Sequence, residues 1–269
     1  MDFNLSEWLN LIARWVHVFA GILWIGQTYF FTWLDGRFSE MIDAKGKENP
    51  EDRVWMVHSG GFYVVDKHKV PKQMPGTLHW FKWEAAVTWM SGMFLLVLVY
   101  YFGGLMVNES VSEGKAILVG VGFMLVAWPV YNALWRSPFV KDERVGAAIS
   151  FVLVVLAAYG LTHFMDGRAM YIHIGAMFGT LMTVNVWEVI LPAQRTLVAA
   201  LNAGQSPDLD LAHRAKTRSK HNTFMVIPVV FIMISNHFPT ATYGTSENWI
   251  VLSILVLIGW GAAKILRRA

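Results

Sequence analysis

The sequence predicts an all-α membrane protein: a bundle of seven transmembrane helices with the N-terminus outside and the C-terminus in the cytoplasm. Three observations carry that reading. The chain has 269 residues, 55% hydrophobic and only 15% charged, where a soluble domain carries about a quarter charged residues. Seven apolar stretches approach the roughly 20 residues that a helix needs to cross about 30 Å of hydrocarbon. Lysine and arginine are segregated as well, with 18 in one alternate set of connections and one in the other.

The spans run at about 8–34, 78–102, 115–135, 145–164, 168–192, 219–238 and 248–266. Helix is expected because in lipid a lone segment must close its own backbone hydrogen bonds. The segments 35–77, 136–144 and 193–220 and the C-terminal tail hold seven, three, five and three basic residues. The segments 1–9, 103–114 and 239–247 hold none, and 165–168 holds Arg168 alone. Basic connections remain cytoplasmic, which fixes the orientation and favours an odd number of spans. The formal charge of +3 is that orientation signal rather than a surface for nucleic acid. The N-terminus is acidic at Asp2 and Glu7 and lacks a basic region, so the first span is expected to act as the insertion signal.

Residues 1–269 read as a single transmembrane domain with two long cytoplasmic loops, 35–77 and 193–218. In the first, His58-Ser-Gly-Gly-Phe-Tyr-Val-Val predicts a turn and a short strand. In the second, Ala-Gly-Gln-Ser-Pro near 203–207 breaks an amphipathic continuation.

There is no cysteine, which excludes disulfides, thiolate metal sites, iron–sulfur clusters and covalent haem attachment within this chain. Six of the nine histidines lie within or at the ends of the spans: His17, His79, His163, His173, His221 and His237. Imidazoles at membrane depth are costly and serve a metal, a proton or a partner. His17 and His173 lie in the outer half, inside the first and fifth spans. His163 and His237 sit at the outer ends of the fourth and sixth, and His79 and His221 at the inner starts of the second and sixth.

Haem b, one or two, is the natural occupant, because it needs neutral imidazoles from facing helices and an apolar slot. His17 with His173 is the first candidate pair of iron ligands, and His79 with His221 the second. His163 and His237 are reserves, and both also read as interfacial hydrogen-bonding residues. Gly21, Gly26, Gly175 and Gly179 would make room beside the first pair. Arg14 either meets a haem propionate or another carboxylate, or snorkels to the outer surface. A copper site would want shorter spacing or methionine partners, and the 14 Met are scattered as packing residues.

The second span opens Leu78-His-Trp-Phe-Lys-Trp-Glu84 and the sixth Arg218-Ser-Lys-His-Asn-Thr223. Lys82, Arg218 and Lys220 offer charge, Asn222 and Thr223 hydrogen bonds, and Trp83 a stacking face. That set suits a flat anionic heterocycle. The plainer alternative is a positive-inside girdle with an aromatic belt. Glu84 and Glu188 are the candidate proton acceptors, and Pro228 should kink the sixth helix.

His58-Ser-Gly-Gly-Phe-Tyr, Leu78-His-Trp-Phe-Lys-Trp-Glu84, Ser219-Lys-His-Asn-Thr-Phe and Ile234-Ser-Asn-His-Phe-Pro239 resemble the membrane domain of the bacterial membrane-bound urate oxidases, or urate hydroxylases. Trp15-Val-His-Val-Phe-Ala-Gly-Ile-Leu-Trp-Ile-Gly26 is similar to that family too, and loosely to other membrane haem proteins. The resemblance covers nearly the whole chain. It implies an enzyme of purine breakdown in the bacterial inner membrane. Such an enzyme oxidises urate to 5-hydroxyisourate and passes the electrons through b-type haem to cytochrome c. Family members often carry a fused cytochrome with Cys-x-x-Cys-His. Here the seventh span ends at Lys264-Ile-Leu-Arg-Arg-Ala, so the expectation is that either a separate periplasmic cytochrome c accepts the electrons or the activity is lost with the fusion. The rival expectations are a non-catalytic cytochrome b subunit, and a transporter for a purine, copper or haem.

Overall fold

The structure is a computed structural model that describes residues 4–47, 49, 51–68, 70–71, 75–106, 111–138 and 140–267. Among the described residues, seven long helices follow one another: α1 (Leu5–Lys45), α2 (Trp83–Tyr101), α3 (Glu113–Arg136), α4 (Glu143–Thr162), α5 (Gly167–Asn202), α6 (Leu209–Ser235) and α7 (Asn248–Leu266). Six of them are long and apolar enough to cross a membrane, as expected of a multi-pass membrane protein. The exception is α6, whose first half carries Arg218, Lys220, His221 and Asn222. Its polar residues are partly internal, since Arg218 and Asn222 are buried among neighbouring helices.

Side-chain caps set where several helices start. Asn4 accepts from the Glu7 amide at 3.2 Å, and Asp142, Asp166 and Asp208 cap α4, α5 and α6 in the same way. Each satisfies amides that the first helical turn leaves unpaired. The helices overrun the expected cytoplasmic boundaries. α1 continues past residue 34 to Lys45, where Gly46 (φ 66°) ends it; α5 continues to Asn202; α6 already begins at Leu209. Much of the two expected loops is therefore helix. Hydropathy reports the length of a helix that meets lipid, not where its hydrogen bonding stops. At about 1.5 Å per residue, the 41 residues of α1 reach well beyond a bilayer core.

The expected strand is half of a hairpin, β1 (Arg53–His58) and β2 (Gly61–Asp66), with His58 paired to Gly61. Ser59 (φ 49°) and Gly60 (φ 77°) form the turn. Positive φ at both central positions is the type I′ arrangement, whose twist matches that of paired strands. The turn lies one residue earlier than the Gly60-Gly61 pair suggested. Val54 packs on Leu34 and Phe38 of α1, and ion pairs join Lys45 to Asp52 and Lys67 to Asp35.

α5 is the central helix, more deeply enclosed than the other five apolar helices. Ala169, Met170, Tyr171 and Ile174 are wholly enclosed. Two π-helical stretches interrupt the regular helices, Leu96–Tyr101 at the end of α2 and Asn185–Ile190 within α5. Such stretches recur at functional sites, because the extra residue per turn leaves the regular ladder.

Candidate functional site

A buried polar cluster lies where α3, α5 and α6 meet. Asn185 opens the π-helical stretch of α5 and is fully enclosed. Its Nδ2 donates to the Tyr131 hydroxyl at 3.0 Å and to Asn222 Oδ1 at 3.1 Å. Asn222 Nδ2 donates to the Met182 carbonyl at 3.0 Å. The Tyr131 hydroxyl lies 2.7 Å from His221 Nδ1. Arg218 is 5% exposed, donates through Nη2 to Asn132 Oδ1 at 2.8 Å, and sets its guanidinium 4.6 Å from the centre of the Tyr131 ring.

Two polar atoms of this cluster are buried with no partner among the described residues, Arg218 Nη1 and Asn185 Oδ1. No carboxylate pairs with Arg218 among the described residues. A buried cation without a counter-charge is strongly unfavourable, and each unsatisfied buried donor or acceptor costs about 1–3 kcal/mol. The chemistry that would relieve both is an anion that also presents an N–H. Asn185, Arg218 and Asn222 form the buried floor of the cluster, and Tyr131, Asn132 and His221 are partly exposed.

A second polar site lies between α1 and α2. Gln27 donates to Glu84 Oε1 at 3.0 Å, and Glu84 Oε2 is buried without a partner. Glu84 lines a crevice of about 610 Å³ together with Trp15, Phe19, Leu23 and Trp83. Further along the same seam, His17 Nδ1 lies 2.8 Å from the Thr88 carbonyl and its ring abuts Gly92. A carbonyl only accepts, so Nδ1 carries the hydrogen and Nε2 keeps its lone pair.

His173 is fully buried and holds the same tautomer, with Nδ1 donating to Ala169 O at 2.8 Å. Its Nε2 lies 3.1 Å from the Tyr101 hydroxyl, which must then be the donor. Gly120 closes the other side, where a Cβ would stand 2.6 Å from Nε2.

Haem ligation can be tested on these rings. His17 would fit as an iron ligand, because the Thr88 bond fixes the tautomer that leaves Nε2 free. His173 does not fit without rearrangement, because hydroxyl and glycine already enclose its Nε2. The two rings lie in different seams, so the structure does not bring His17 and His173 together as a facing pair. It does not bring His79 and His221 together either. His79 is exposed ahead of α2 with its ring 4.5 Å from Phe81, whereas His221 packs 4.0 Å from Trp135 and contacts Tyr131. His163 is exposed and donates to Tyr159 O at 3.0 Å. His237 is exposed. Arg14 is exposed and donates to Asn10 at 2.5 Å. Gly175 seats Ile232 of α6 rather than a cofactor. Among the described residues, no three His, Asp or Glu side chains are grouped to hold a metal ion.

The expected substrate residues divide in a similar way. Arg218 and Asn222 come together. Lys220 turns to an ion pair with Glu143, and the Thr223 hydroxyl donates to Ser219 O of its own helix at 3.3 Å. Lys82 lies over the Trp83 and Trp187 rings at 5.4 and 5.9 Å. Glu188 is exposed. Tyr131, Asn132 and Asn185 join the cluster without standing out in the sequence, because each meets its partners only when helices distant in sequence pack together.

The whole chain also compares with known families. Residues 3–267 match the family model described as urate oxidase N-terminal. No curated protein and no solved structure matches. That match takes in every helix just described, and the chain belongs to the urate oxidase N-terminal family.

Proposed function

We propose that this protein is an integral-membrane urate oxidase of the bacterial inner membrane. All seven helices span the bilayer, with the N-terminus outside and the C-terminus inside, as the basic connections favour. The observation that carries the functional reading is Arg218, a buried guanidinium with one nitrogen unpartnered and no carboxylate beside it. Urate is a planar anion at neutral pH, and it supplies both the missing charge and a flat face for the cluster.

In the reaction, the oxygen of water bonds to C5 of urate and the C4–C5 double bond is lost. Two protons and two electrons leave, giving 5-hydroxyisourate. Glu84, with its unpartnered oxygen, is the candidate proton acceptor on α2. Glu188 is the weaker candidate because it faces outward. A b-type haem would be held by His17, with His163 or His237 as reserve ligands, and would supply one-electron transfer toward a separate periplasmic cytochrome c.

The test is a redox difference spectrum of the purified protein, followed by urate without oxygen and with cytochrome c as acceptor. Reduced b-type bands on adding urate, with 5-hydroxyisourate formed, are the expected result. A colourless protein that does not consume urate overturns the reading. Haem reduced by dithionite but never by urate leaves a non-catalytic electron conduit instead.

A further inference from the structure

We propose that Asn185 is the residue by which this protein recognises its substrate, accepting one ring N–H while Arg218 holds the anionic edge. The inference rests on the urate reading above and adds a specificity residue to it.

Bonding around Asn185 fixes which way its amide points. Asn222 Nδ2 is committed to the Met182 carbonyl, so Asn222 Oδ1 faces Asn185 and needs a donor. Asn185 therefore turns Nδ2 toward it, at 3.1 Å, and toward the Tyr131 hydroxyl at 3.0 Å. A flipped amide would set two oxygens against each other. The Oδ1 of Asn185 is left pointing elsewhere, buried and without a partner. An asparagine serving only to tie α3 to α6 needs its two N–H groups and gains nothing from an enclosed bare oxygen. Leaving such an acceptor unpaired is costly.

Arg218 shows the complementary lack, a bare donor at Nη1. Both residues engage Tyr131, one at its hydroxyl and the other over its ring at 4.6 Å. A cationic donor and a neutral acceptor held on one tyrosine define the ligand: a planar heterocyclic anion carrying an N–H beside an oxygen or deprotonated nitrogen. Where a site is built to pair with an N–H, an analogue that lacks it is rejected strongly, because the polar group of the site is then buried unpaired.

The experiment is calorimetric titration of the detergent-solubilised protein, without an electron acceptor, with urate and its 1-, 3-, 7- and 9-methyl isomers. The wild type should bind urate and reject one isomer by at least about tenfold relative to the others. Asn185→Ala should bind urate more weakly and lose that discrimination. Should Asn185→Ala fail to fold, Asn185→Ser carries the test: its hydroxyl can still donate to the Tyr131 hydroxyl or to Asn222 Oδ1 in place of the amide, but it leaves no carbonyl oxygen for the ring N–H, so it should fold and lose the discrimination. The inference is overturned if either variant folds and still rejects the same isomer, or if the wild type binds urate yet accepts every isomer equally. A wild type that binds no urate sinks the functional reading itself.

Discussion

Gly120 and His173 are fitted so closely that a Cβ on the glycine would lie 2.6 Å from the imidazole Nε2. The contact lets α3 approach α5 at a fully buried ring whose two nitrogens are both hydrogen-bonded. Gly120→Ala should therefore force the ring aside and destabilise the protein by about 1–3 kcal/mol, the usual cost of overpacking. Thermal unfolding in detergent measures it. An unchanged midpoint would mean that the helices are further apart than described.

The same geometry separates the two deep histidines. His17→Ala should lower the haem content of the purified protein, since its free Nε2 is the one arranged for a ligand. His173→Ala should lower the unfolding temperature and leave the haem content per folded protein near that of the wild type. A pyridine haemochrome assay beside the melting curve reads both. Equal loss of haem in the two variants would restore them as a pair.

The helices were legible in the sequence because lipid imposes a long apolar run on each, and six of the seven expected spans recur as helices apolar enough to cross. Their ends were not. Gly46 and Asp208 terminate or cap helices in exposed polar connections, where hydropathy has nothing to register. Arg218 and Asn222 could be singled out because charge and amide stand out near the start of an apolar stretch. Tyr131 and Asn132 could not, since a tyrosine and an asparagine near the end of α3 look interfacial until α6 is packed against them. The histidine pairs failed to converge for the same reason: depth along a helix is readable from sequence, and the direction a ring faces is not.

Ser59 occupies a left-handed position (φ 49°) in the hairpin turn, a conformation that costs an L-residue about 1–2 kcal/mol and that asparagine tolerates better. Ser59→Asn creates the Asn-Gly pair preferred in type I′ turns. It should stabilise the hairpin by a few tenths to about 1 kcal/mol. Slower amide exchange confined to residues 53–66, with the rest of the chain unchanged, is the expected signature. Faster exchange there would rule out the turn type.

Gly259 of α7 meets Pro228 of α6, where a Cβ would come within 2.9 Å of the proline ring. Gly259→Ala alone should cost about 1–3 kcal/mol. With Pro228→Ala also present the ring is gone and part of the crowding is relieved, although the backbone nitrogen of residue 228 would still stand 3.1 Å from the added methyl. The two substitutions should therefore be non-additive, with a coupling of about 0.5–3 kcal/mol that favours the double variant. Strict additivity in unfolding free energies would show that the two helices do not cross at these residues.

Arg218 makes the sharpest prediction, because folding and function should pull it in opposite directions. An enclosed guanidinium without a counter-ion burdens the fold, and an apolar residue of similar volume can be neutral or stabilising in its place. Arg218→Met should thus melt at or above the wild-type temperature when no ligand is present. Its urate affinity should fall by about ten- to a hundredfold, the worth of a charge-assisted hydrogen bond. Arg218→Lys should be intermediate, keeping the charge but not the planar fork that reaches Asn132. Ligand binding only to the native state raises its stability, so urate at one fixed concentration should raise the wild-type melting temperature and raise that of Arg218→Met distinctly less. If Arg218→Met is destabilised and urate protects it as strongly as it protects the wild type, the guanidinium is a structural strut and the anion binds elsewhere.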